Sequence, residues 1–278
     1  MEPTQSPEIK LIALDVDGTL LDDRKRLPAA NREALHEAVK RGVRVAIASG
    51  RMTPTIDPIQ DMLGLDCIVI AYNGGKVVGS RSEGRHLIAH RPVPTFVADH
   101  FITYSQEHGH LLNFYHEDRL FAEDGGSRRT FMDIYSSRTG ARYEIEADLG
   151  RLRGIEPTKL ILLAEPGIRD RLHDAFRALF AERAFITKSD PEYLEIMAPD
   201  VDKGSALPLI AQHYGILPGE VLAVGDADND LGLLRGAGVG VAVRNAKPHV
   251  QAAANWVTER TNNEGAVAEA VERFVLLR

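Results

Sequence analysis

The chain has 278 residues, of which 44% are hydrophobic and 26% are charged, and its formal net charge is −7 at pH 7. These values are typical of a folded protein with one large or two modest domains, and they argue against a mostly disordered or fibrous chain. The acidic balance also argues against a general nucleic-acid binder, which usually carries a basic face. We expect the short basic clusters at 24–26 and 128–129 to be solvated surface.

Targeting and redox features favour a cytoplasmic location. The first eight residues lack the basic and apolar segments of a secretory signal, and no stretch approaches the 18 apolar residues that indicate a membrane span. The single cysteine, Cys67, lies in an apolar run, which favours a buried and unreactive thiol over a nucleophile. We therefore expect neither a membrane nor a nucleic acid as a partner.

The N-terminal part of the chain alternates short apolar runs with amphipathic segments. Residues 9–14, 43–48 and 67–71 predict strands, and residues 28–40 predict a helix that begins near Pro28 and ends before Gly42. Short strands buried on both faces and separated by helices are typical of a parallel sheet with right-handed crossovers. This part of the chain therefore predicts an α/β fold.

The middle of the chain has a different pattern. Strand-like runs occur at 111–115 and 159–164, and amphipathic helices are predicted at 95–107 and 167–182. Segments rich in glycine, serine and arginine, at 125–129 and 136–140, predict loops. The pattern indicates an α+β module inserted into an α/β host.

Near the C-terminus the alternation of strands and helices returns. A helix is predicted at 203–214, where Pro208 should bend the helix or delay its start. A strand at 221–224, a helix through Leu231 and Leu234, and a strand at 240–243 follow. We therefore predict a discontinuous catalytic core, residues 1–83 and 193–278, with an inserted domain at 84–192.

Two acidic residues follow the first predicted strand. In the segment 15–20, DVDGTL, Asp15 and Asp17 are two positions apart, so in an extended chain both side chains project to the same side. A carboxylate at the end of a buried strand is costly without a partner, and a hard divalent cation would offset that cost. The alternative is a turn or a helix cap, which often contains such an acid pair.

Polar groups also follow the second strand and open the C-terminal helix. Ser49 and the backbone N–H of Gly50 would form an anion site where the chain enters a helix, the alternative being a plain N-cap serine with a surface Arg51. Lys203 stands at a helix start, where the helix dipole disfavours a cation unless a carboxylate or a phosphate lies nearby. The alternative for Lys203 is an exposed side chain.

The strand at 221–224 is followed by the acidic segment 225–230, GDADND. Asp226, Asp228 and Asp230, with Asn229 between them, resemble a calcium loop. The EF-hand spacing fails, however, because its sixth and twelfth positions fall on Leu231 and Ala237 rather than on glycine and glutamate. The alternative is a solvated acidic turn. All these polar groups lie at strand or helix ends, where open α/β sheets place their sites.

Taken together and in this order, the four segments resemble the signatures of the haloacid-dehalogenase superfamily of phosphohydrolases. They are DVDGT at 15–19, SGR at 49–51, KG at 203–204 and GDADND at 225–230. The layout is most similar to the Cof-type branch, in which a large α+β cap lies between the second and third signatures. Further matches are YNGG at 72–75, NAKP at 245–248 and NNE at 262–264. The resemblance implies a Rossmann-like parallel-sheet core with an α+β cap that selects the substrate.

The resemblance also implies a role for each matched residue. Asp15 would be the nucleophile that forms an aspartyl-phosphate, and Asp17 would be the general acid and base. Mg²⁺ would be bound by the carboxylates of Asp15 and Asp226 and by the backbone carbonyl of Asp17. The remaining signature residues would bind the phosphoryl group or support the metal. Phosphate binding would fall to Ser49, Gly50, Lys203 and Asn229, and Asp230 would support the metal site.

The implied activity is Mg²⁺-dependent removal of phosphate from a small phosphorylated metabolite, with a sugar phosphate as the leading substrate class. Two alternatives are a phosphomutase acting on sugar phosphates and a non-enzymatic metabolite-binding regulator that retains the fold. Acid–base work by Asp17 predicts that its pKa is raised. In the cap, Tyr115, Arg119 and His110 are candidate substrate contacts, with surface or core roles as the alternatives. One departure from the family pattern is Arg244, which would face the substrate mouth or form an ion pair.

Overall fold

The computed structural model describes residues 8–277, and the segment that bears on a secretory signal, residues 1–7, lies outside them. The described chain forms two compact units. The first comprises the chain through Ala89 and from Asp202 onward, and the second is His90–Val201. Within residues 8–277, no helix is long and apolar enough to cross a membrane.

Both units alternate helices and strands. In chain order, the first segment contains β1 (Leu11–Asp15), α1 (Ala29–Lys40), β2 (Arg44–Ala48), α2 (Thr53–Leu63), β3 (Ile68–Ala71), β4 (Lys76–Val78) and β5 (Leu87–His90). The second unit contains α3 (Thr95–His108), β6 (Leu111–His116), β7 (Arg119–Glu123), α4 (Arg128–Thr139), β8 (Tyr143–Glu146), β9 (Lys159–Leu163), α5 (Pro166–Phe180), β10 (Phe185–Lys188) and β11 (Tyr193–Met197). The last segment contains α6 (Leu207–Tyr214), β12 (Val221–Gly225), α7 (Leu231–Gly236), β13 (Val239–Ala242), α8 (Pro248–Ala253), β14 (Trp256–Val257) and α9 (Ala266–Val271).

The sheet of the first unit has eight strands in the order β14-β13-β12-β1-β2-β3-β4-β5. Pairing is parallel from β14 through β3, and β4 runs antiparallel to β3. All five residues of β1 are buried, because β1 lies between β12 and β2 and is covered on both faces. The predicted parallel α/β sheet is confirmed. The short strand β14 and the helices α8 and α9 are additions that the apolar pattern did not indicate.

Proline decides how two helices begin. Pro28 stands at the N-cap of α1, where its missing N–H and its preset φ angle cost nothing. At 203–214, a short 3₁₀ turn, Gly204–Ala206, precedes α6, which starts at Leu207 with Pro208 in its first turn. The proline therefore delays the start of the α-helix, which is one of the two outcomes expected from the sequence.

The second unit is built on a six-stranded sheet in the order β10-β11-β9-β6-β7-β8, antiparallel except for the pair β7–β8. Strand β11 lies between β10 and β9, so residues 193–197 belong to this sheet. The expected boundary after residue 192 is therefore too early, and the expected boundary after residue 83 is also earlier than the observed one after Ala89. Apolar periodicity marked the strands that lie inside the unit, but it could not tell to which sheet β11 belongs.

Two further expectations for the second unit are wrong. Residues 136–139 form the last turn of α4 rather than a loop, because Met132 and Tyr135 give the helix a buried face and Gly140 ends it in a left-handed conformation. Arg128 is not solvated surface, since its guanidinium pairs with Glu123 and donates to two backbone carbonyls. Burial of Met132 and Tyr135 in α4 and the contacts of Arg128 outweigh the loop-forming tendency of the neighbouring serines and glycines.

The first unit contains a buried polar side chain that joins three segments. Asn31 of α1 is fully buried, donates to the carbonyl of Leu20 at 3.0 Å and accepts from the N–H of Ala268 in α9 at 2.9 Å. The side chain therefore ties the loop that follows β1 to both helices. The thiol of Cys67 is also buried here, and burial raises its pKa to about 12, as expected for an unreactive cysteine.

We predict that Asn31→Leu destabilises the first unit by about 2–4 kcal/mol, because it leaves two buried backbone groups without hydrogen bonds. Urea unfolding followed through the fluorescence of Trp256, the single tryptophan of the chain, reports on this unit. The matched control is Asn263→Leu, because Asn263 is exposed and hydrogen-bonds only to nearby Asp23 among described residues. Equal midpoints for the two variants would contradict the prediction.

Candidate active site

The candidate site lies at the carboxyl ends of the central strands of the first unit. Asp15 is the last residue of β1, Ser49 directly follows β2, and Asp226 directly follows β12. Because β12, β1 and β2 are parallel neighbours, their carboxyl ends meet at one edge of the sheet. The sheet order therefore brings three of the predicted segments together.

A buried lysine joins the first and last of these segments. Lys203 is fully buried, and its Nζ donates to Oδ1 of Asp15 at 2.5 Å and to Oδ1 of Asp230 at 2.7 Å. Burial alone would lower the pKa of Lys203, but the two carboxylates outweigh it and keep the ammonium charged. The cation at this helix start is thus partnered by carboxylates, and it is not an exposed side chain.

The acidic segment after β12 is shaped by its own backbone. Oδ2 of Asp230 accepts hydrogen bonds from the N–H groups of Asp226 and Ala227, each at 3.0 Å. Oδ1 of Asp226 accepts from the hydroxyl of Thr19 at 3.0 Å. Asp228 does not take part in these contacts; its exposed carboxylate pairs with Lys247 and His249. The segment is therefore an ordered loop around Asp230, with Asp228 outside the cluster.

Gly18 is required by this packing. It has a φ of +86°, in the left-handed region that favours glycine, and a Cβ at this position would lie 2.5 Å from Oδ2 of Asp226. Any larger residue would displace the Asp226 carboxylate. The glycine of the first signature therefore allows the loop after β1 to lie against the loop after β12.

Three carboxylates form a cluster, and two of them are paired with Lys203. Asp15, Asp226 and Asp230 can each place one oxygen so that all three oxygens lie within 4.8 Å of one another. Burial raises the pKa of Asp15 to about 8 against the opposing charge of Lys203, and the carboxylates of Asp230 and Asp226 add to the increase. The excess of negative charge and the all-oxygen donor set fit a hard divalent cation such as Mg²⁺.

The Asp17 carboxylate is bonded to two cations and is not one of the three acids of this cluster. Its Oδ1 accepts from Nζ of Lys25 at 2.7 Å, and Arg51 forms a two-pronged pair with both carboxylate oxygens at 2.9–3.2 Å. Burial acts to raise the pKa of Asp17, but the hydrogen bond from Lys25 and the charge of Arg51 outweigh it, so the pKa is lowered. The expectation of a raised pKa is wrong for this conformation, because two cations surround the carboxylate.

The segment after β3 contributes a side chain that the sequence analysis assigned no role. Asn73, with a φ of +53°, accepts a hydrogen bond from Asn229 at 3.3 Å, and a Cβ at Gly50 would lie 3.1 Å from its Oδ1. The hydroxyl of Ser49 accepts from the N–H of Arg51 at 3.3 Å. The backbone N–H of Asn73 donates to the carbonyl of Ser49 at 2.9 Å, so Asn73 links Ser49 to Asn229. The signal was available, because YNGG at 72–75 follows a buried strand.

Lys25 is the second residue with an unexpected contact. It is exposed, as expected for the basic cluster at 24–26, but its ammonium is paired with Asp17. Nothing in the linear pattern indicated that pair, because the two residues are eight positions apart in an irregular segment. Asn245 also reaches the site loop, donating to the carbonyl of Gly18 at 2.8 Å. Within residues 8–277, Arg244 forms no ion pair, and its guanidinium donates to the carbonyl of Glu259 at 2.9 Å.

In the second unit, the three candidate substrate contacts have different surroundings. Tyr115 is buried and hydrogen-bonds to the hydroxyl of Tyr135, and Arg119 is exposed and pairs with Glu144. His110 is half-buried, and burial lowers its pKa. Tyr115 therefore has the core role that was the alternative, whereas Arg119 lies on the surface.

Comparison with known proteins adds independent evidence. A family profile described as haloacid dehalogenase-like hydrolase matches residues 12–271. A phosphoglycolate phosphatase of Methanoculleus marisnigri is 31% identical, over 96% of this chain and 97% of its own length. A 5-amino-6-(5-phospho-D-ribitylamino)uracil phosphatase of Bacillus subtilis is 30% identical, over 97% of both chains. A crystal structure from Thermotoga maritima matches with a TM-score of 0.85 and 30% identity, over 95% of this chain and 97% of its own.

We predict that Lys203→Met destabilises the first unit by about 3–5 kcal/mol, because it leaves buried carboxylates without their cation. Adding Asp15→Asn to Lys203→Met should recover part of the loss, since one of those charges is then removed. Urea unfolding, monitored through the fluorescence of Trp256, measures the stability of the single and the double variants. The control Lys10→Met breaks the half-exposed Lys10–Glu220 pair and should cost about 1 kcal/mol or less. A double variant as unstable as the sum of the two single variants would refute the account.

Proposed function

The chain belongs to the haloacid dehalogenase-like hydrolase family as a phosphoric monoester hydrolase, and on that basis we propose that it works through a phosphoryl group carried by Asp15. The substrate is a small phosphorylated metabolite. The observation that carries the proposal is the buried contact of Lys203 with Asp15 and Asp230 at the end of β1. It supports a carboxylate that is held in place at the sheet edge beside a fixed positive charge.

Asp15 is the proposed nucleophile. Lys203 holds Oδ1 of Asp15, and Oδ2 is the proposed atom that attacks phosphorus. A bond from Asp15 to phosphorus forms while the ester P–O bond breaks, and Asp17 gives a proton to the leaving oxygen. Water then attacks the phosphoaspartate and gives a proton to Asp17, so that phosphate leaves and the Asp15 carboxylate is restored. A carboxylate nucleophile divides one difficult step into two easier ones.

The remaining site residues hold the phosphoryl oxygens. Lys203 supplies a fixed positive charge, and the hydroxyl of Ser49 and the backbone N–H of Gly50 supply donors. Asn229 would reach the phosphate from the opposite loop, from a position supported by its contact with Asn73. Phosphoryl transfer depends mainly on positioning and on charge neutralisation, and these groups provide both.

Mg²⁺ fits the same cluster. The Asp15 and Asp226 carboxylates and the backbone carbonyl of Asp17 would hold it, and Asp230 would support it through its hydrogen bonds to the Asp226 and Ala227 backbone. When bound, such an ion neutralises charge on the phosphoryl oxygens. Thr19 and Gly18 keep the Asp226 carboxylate in position for this role.

The second unit is the proposed cap that contributes to substrate selection, and the proposed substrates are small phosphorylated metabolites. The relatives support that class, since by their names one acts on phosphoglycolate and another on a phosphorylated ribitylaminouracil. Both compounds are phosphomonoesters of small polar alcohols. A sugar phosphate, the leading class that the family resemblance implies, is also a phosphomonoester of a small polar alcohol and is one type of substrate to test.

We predict that the protein releases phosphate from p-nitrophenyl phosphate in the presence of Mg²⁺, and that Asp15→Asn lowers kcat by at least about 1,000-fold, because the nucleophile is lost. The matched control is Asp228→Asn, the same chemical change at an acid that lies outside the cluster. Its kcat should stay within about twofold of the unaltered protein. Chelation of divalent cations should abolish phosphate release, and added Mg²⁺ should restore it.

Equal activity of Asp15→Asn and the unaltered protein would eliminate the proposed nucleophile. Production of a hexose-phosphate isomer without free phosphate would favour a phosphomutase. No turnover of any phosphomonoester with Mg²⁺ would favour a binding protein that retains the fold. A colorimetric phosphate assay combined with chromatography of the sugar products separates these three outcomes.

A further inference from the structure

Two cations hold the side chain of Asp17. Lys25 bonds to Oδ1, and Arg51 bonds to both oxygens, so each carboxylate oxygen already has at least one charged partner. We call Lys25 and Arg51 the cation clamp. Their side chains are 62% and 38% exposed, so a small ligand from solvent can reach both of them.

The position of Lys25 depends on the folded loop that carries it. Lys25 has a φ of +58°, a conformation that non-glycine residues rarely adopt, and its N–H donates to the carbonyl of Asp22. The carboxylate of the buried Asp22 accepts from the backbone N–H groups of Arg24 and Arg26. The loop at 22–26 is therefore built around Asp22, and it presents Lys25 to Asp17 in one orientation.

The clamp conflicts with the proposed work of Asp17. To protonate the leaving oxygen, Asp17 must turn toward the ester, and its carboxyl group must give up partners that now occupy both oxygens. When Asp17 turns away, Lys25 and Arg51 face each other without the carboxylate that separates their charges. Like charges in contact repel, and an exposed pair of such cations is a site for an anion.

We propose that the cation clamp exchanges the carboxylate of Asp17 for a carboxylate on the leaving group of the substrate. The preferred substrates are therefore phosphomonoesters whose alcohol portion carries a carboxylate close to the ester. This inference rests on the proposed function and specifies its substrate class. Binding of the substrate carboxylate releases Asp17 from both cations, so that Asp17 can take up a proton from water and turn toward the leaving oxygen.

The geometry favours a carboxylate over a neutral group in this exchange. The clamp already holds a carboxylate by a two-pronged arginine contact and a lysine contact, which is the arrangement that matches a planar pair of oxygens. A substrate carboxylate replaces those bonds one for one. A substrate with a neutral hydroxyl or amide at this position would leave both cations without a counter-charge. Its reaction therefore requires loss of the bonds from Lys25 and Arg51 to Asp17 without replacement.

The sharpest test compares phosphoglycolate with its carboxamide analogue, 2-phosphooxyacetamide. The two esters have nearly the same size. The alcohol released from the carboxamide ester is the better leaving group, so faster reaction of the carboxylate ester cannot come from leaving-group acidity. We expect kcat/KM of the unaltered protein to be at least about tenfold higher for the carboxylate, the size expected from one charge-assisted hydrogen bond. The same comparison with 3-phosphoglycerate and its amide extends the carboxylate by one carbon.

The variants Arg51→Gln and Lys25→Met should each lower the carboxylate-to-carboxamide ratio of kcat/KM toward one. The control Arg24→Gln makes the same change of charge in the same loop, and it keeps the backbone bond to Asp22, so its ratio should equal that of the unaltered protein. A general structural defect would slow both esters equally and leave the ratio unchanged.

Two results would overturn the exchange. One is an unaltered protein that reacts with both carboxamides as well as with the carboxylates, and the other is a preference that survives Arg51→Gln and Lys25→Met. Hydrolysis of p-nitrophenyl phosphate separates this failure from failure of the proposed function. If that ester is hydrolysed and no preference for carboxylates is found, the exchange is wrong and the phosphatase activity stands.

Discussion

The site depends on one buried contact, that of Lys203 with Asp15 and Asp230. Removing a lysine and two carboxylates from water is costly, and the cost is offset only when each charge is paired and hydrogen-bonded. The fold meets that condition through the backbone bonds to Asp230. A set of groups this buried cannot shift independently, so Asp15 is held at the end of β1 in a single position.

Asp15 and Asp17 belong to one five-residue signature but lie in opposite environments. Burial raises the pKa of Asp15, and the neighbouring carboxylates add to the increase, whereas Asp17 is half-exposed between two cations, which lower its pKa. In an extended chain, residues two positions apart project to the same side, so the alternation of side chains does not explain why the two acids differ. The difference comes from what each side chain meets, namely Lys203 for the first and the cation clamp for the second. Two acids can therefore take two roles within one short segment.

The sequence predicted the site where local chemistry coincides with strand ends. Asp15, Ser49 and Asp226 could be placed because each follows an apolar run, and parallel strands align their carboxyl ends. Lys25 could not be given its contact in this way, because an irregular loop in which Lys25 itself is left-handed brings it to Asp17. The boundary of the second unit failed for a related reason, since pairing of β11 with β9 and β10 is a long-range property that periodicity does not contain.

The central claim is that Asp15 carries the phosphoryl group during turnover. The most direct measurement is rapid acid quench within the first turnover of a phosphomonoester, followed by mass spectrometry of the protein and of its peptides. The account predicts that a fraction of the chain gains the mass of one phosphoryl group, that the group maps to Asp15, and that Asp15→Asn gains none. A burst of free phosphate without labelled protein, or a phosphoryl group on another residue, would contradict it.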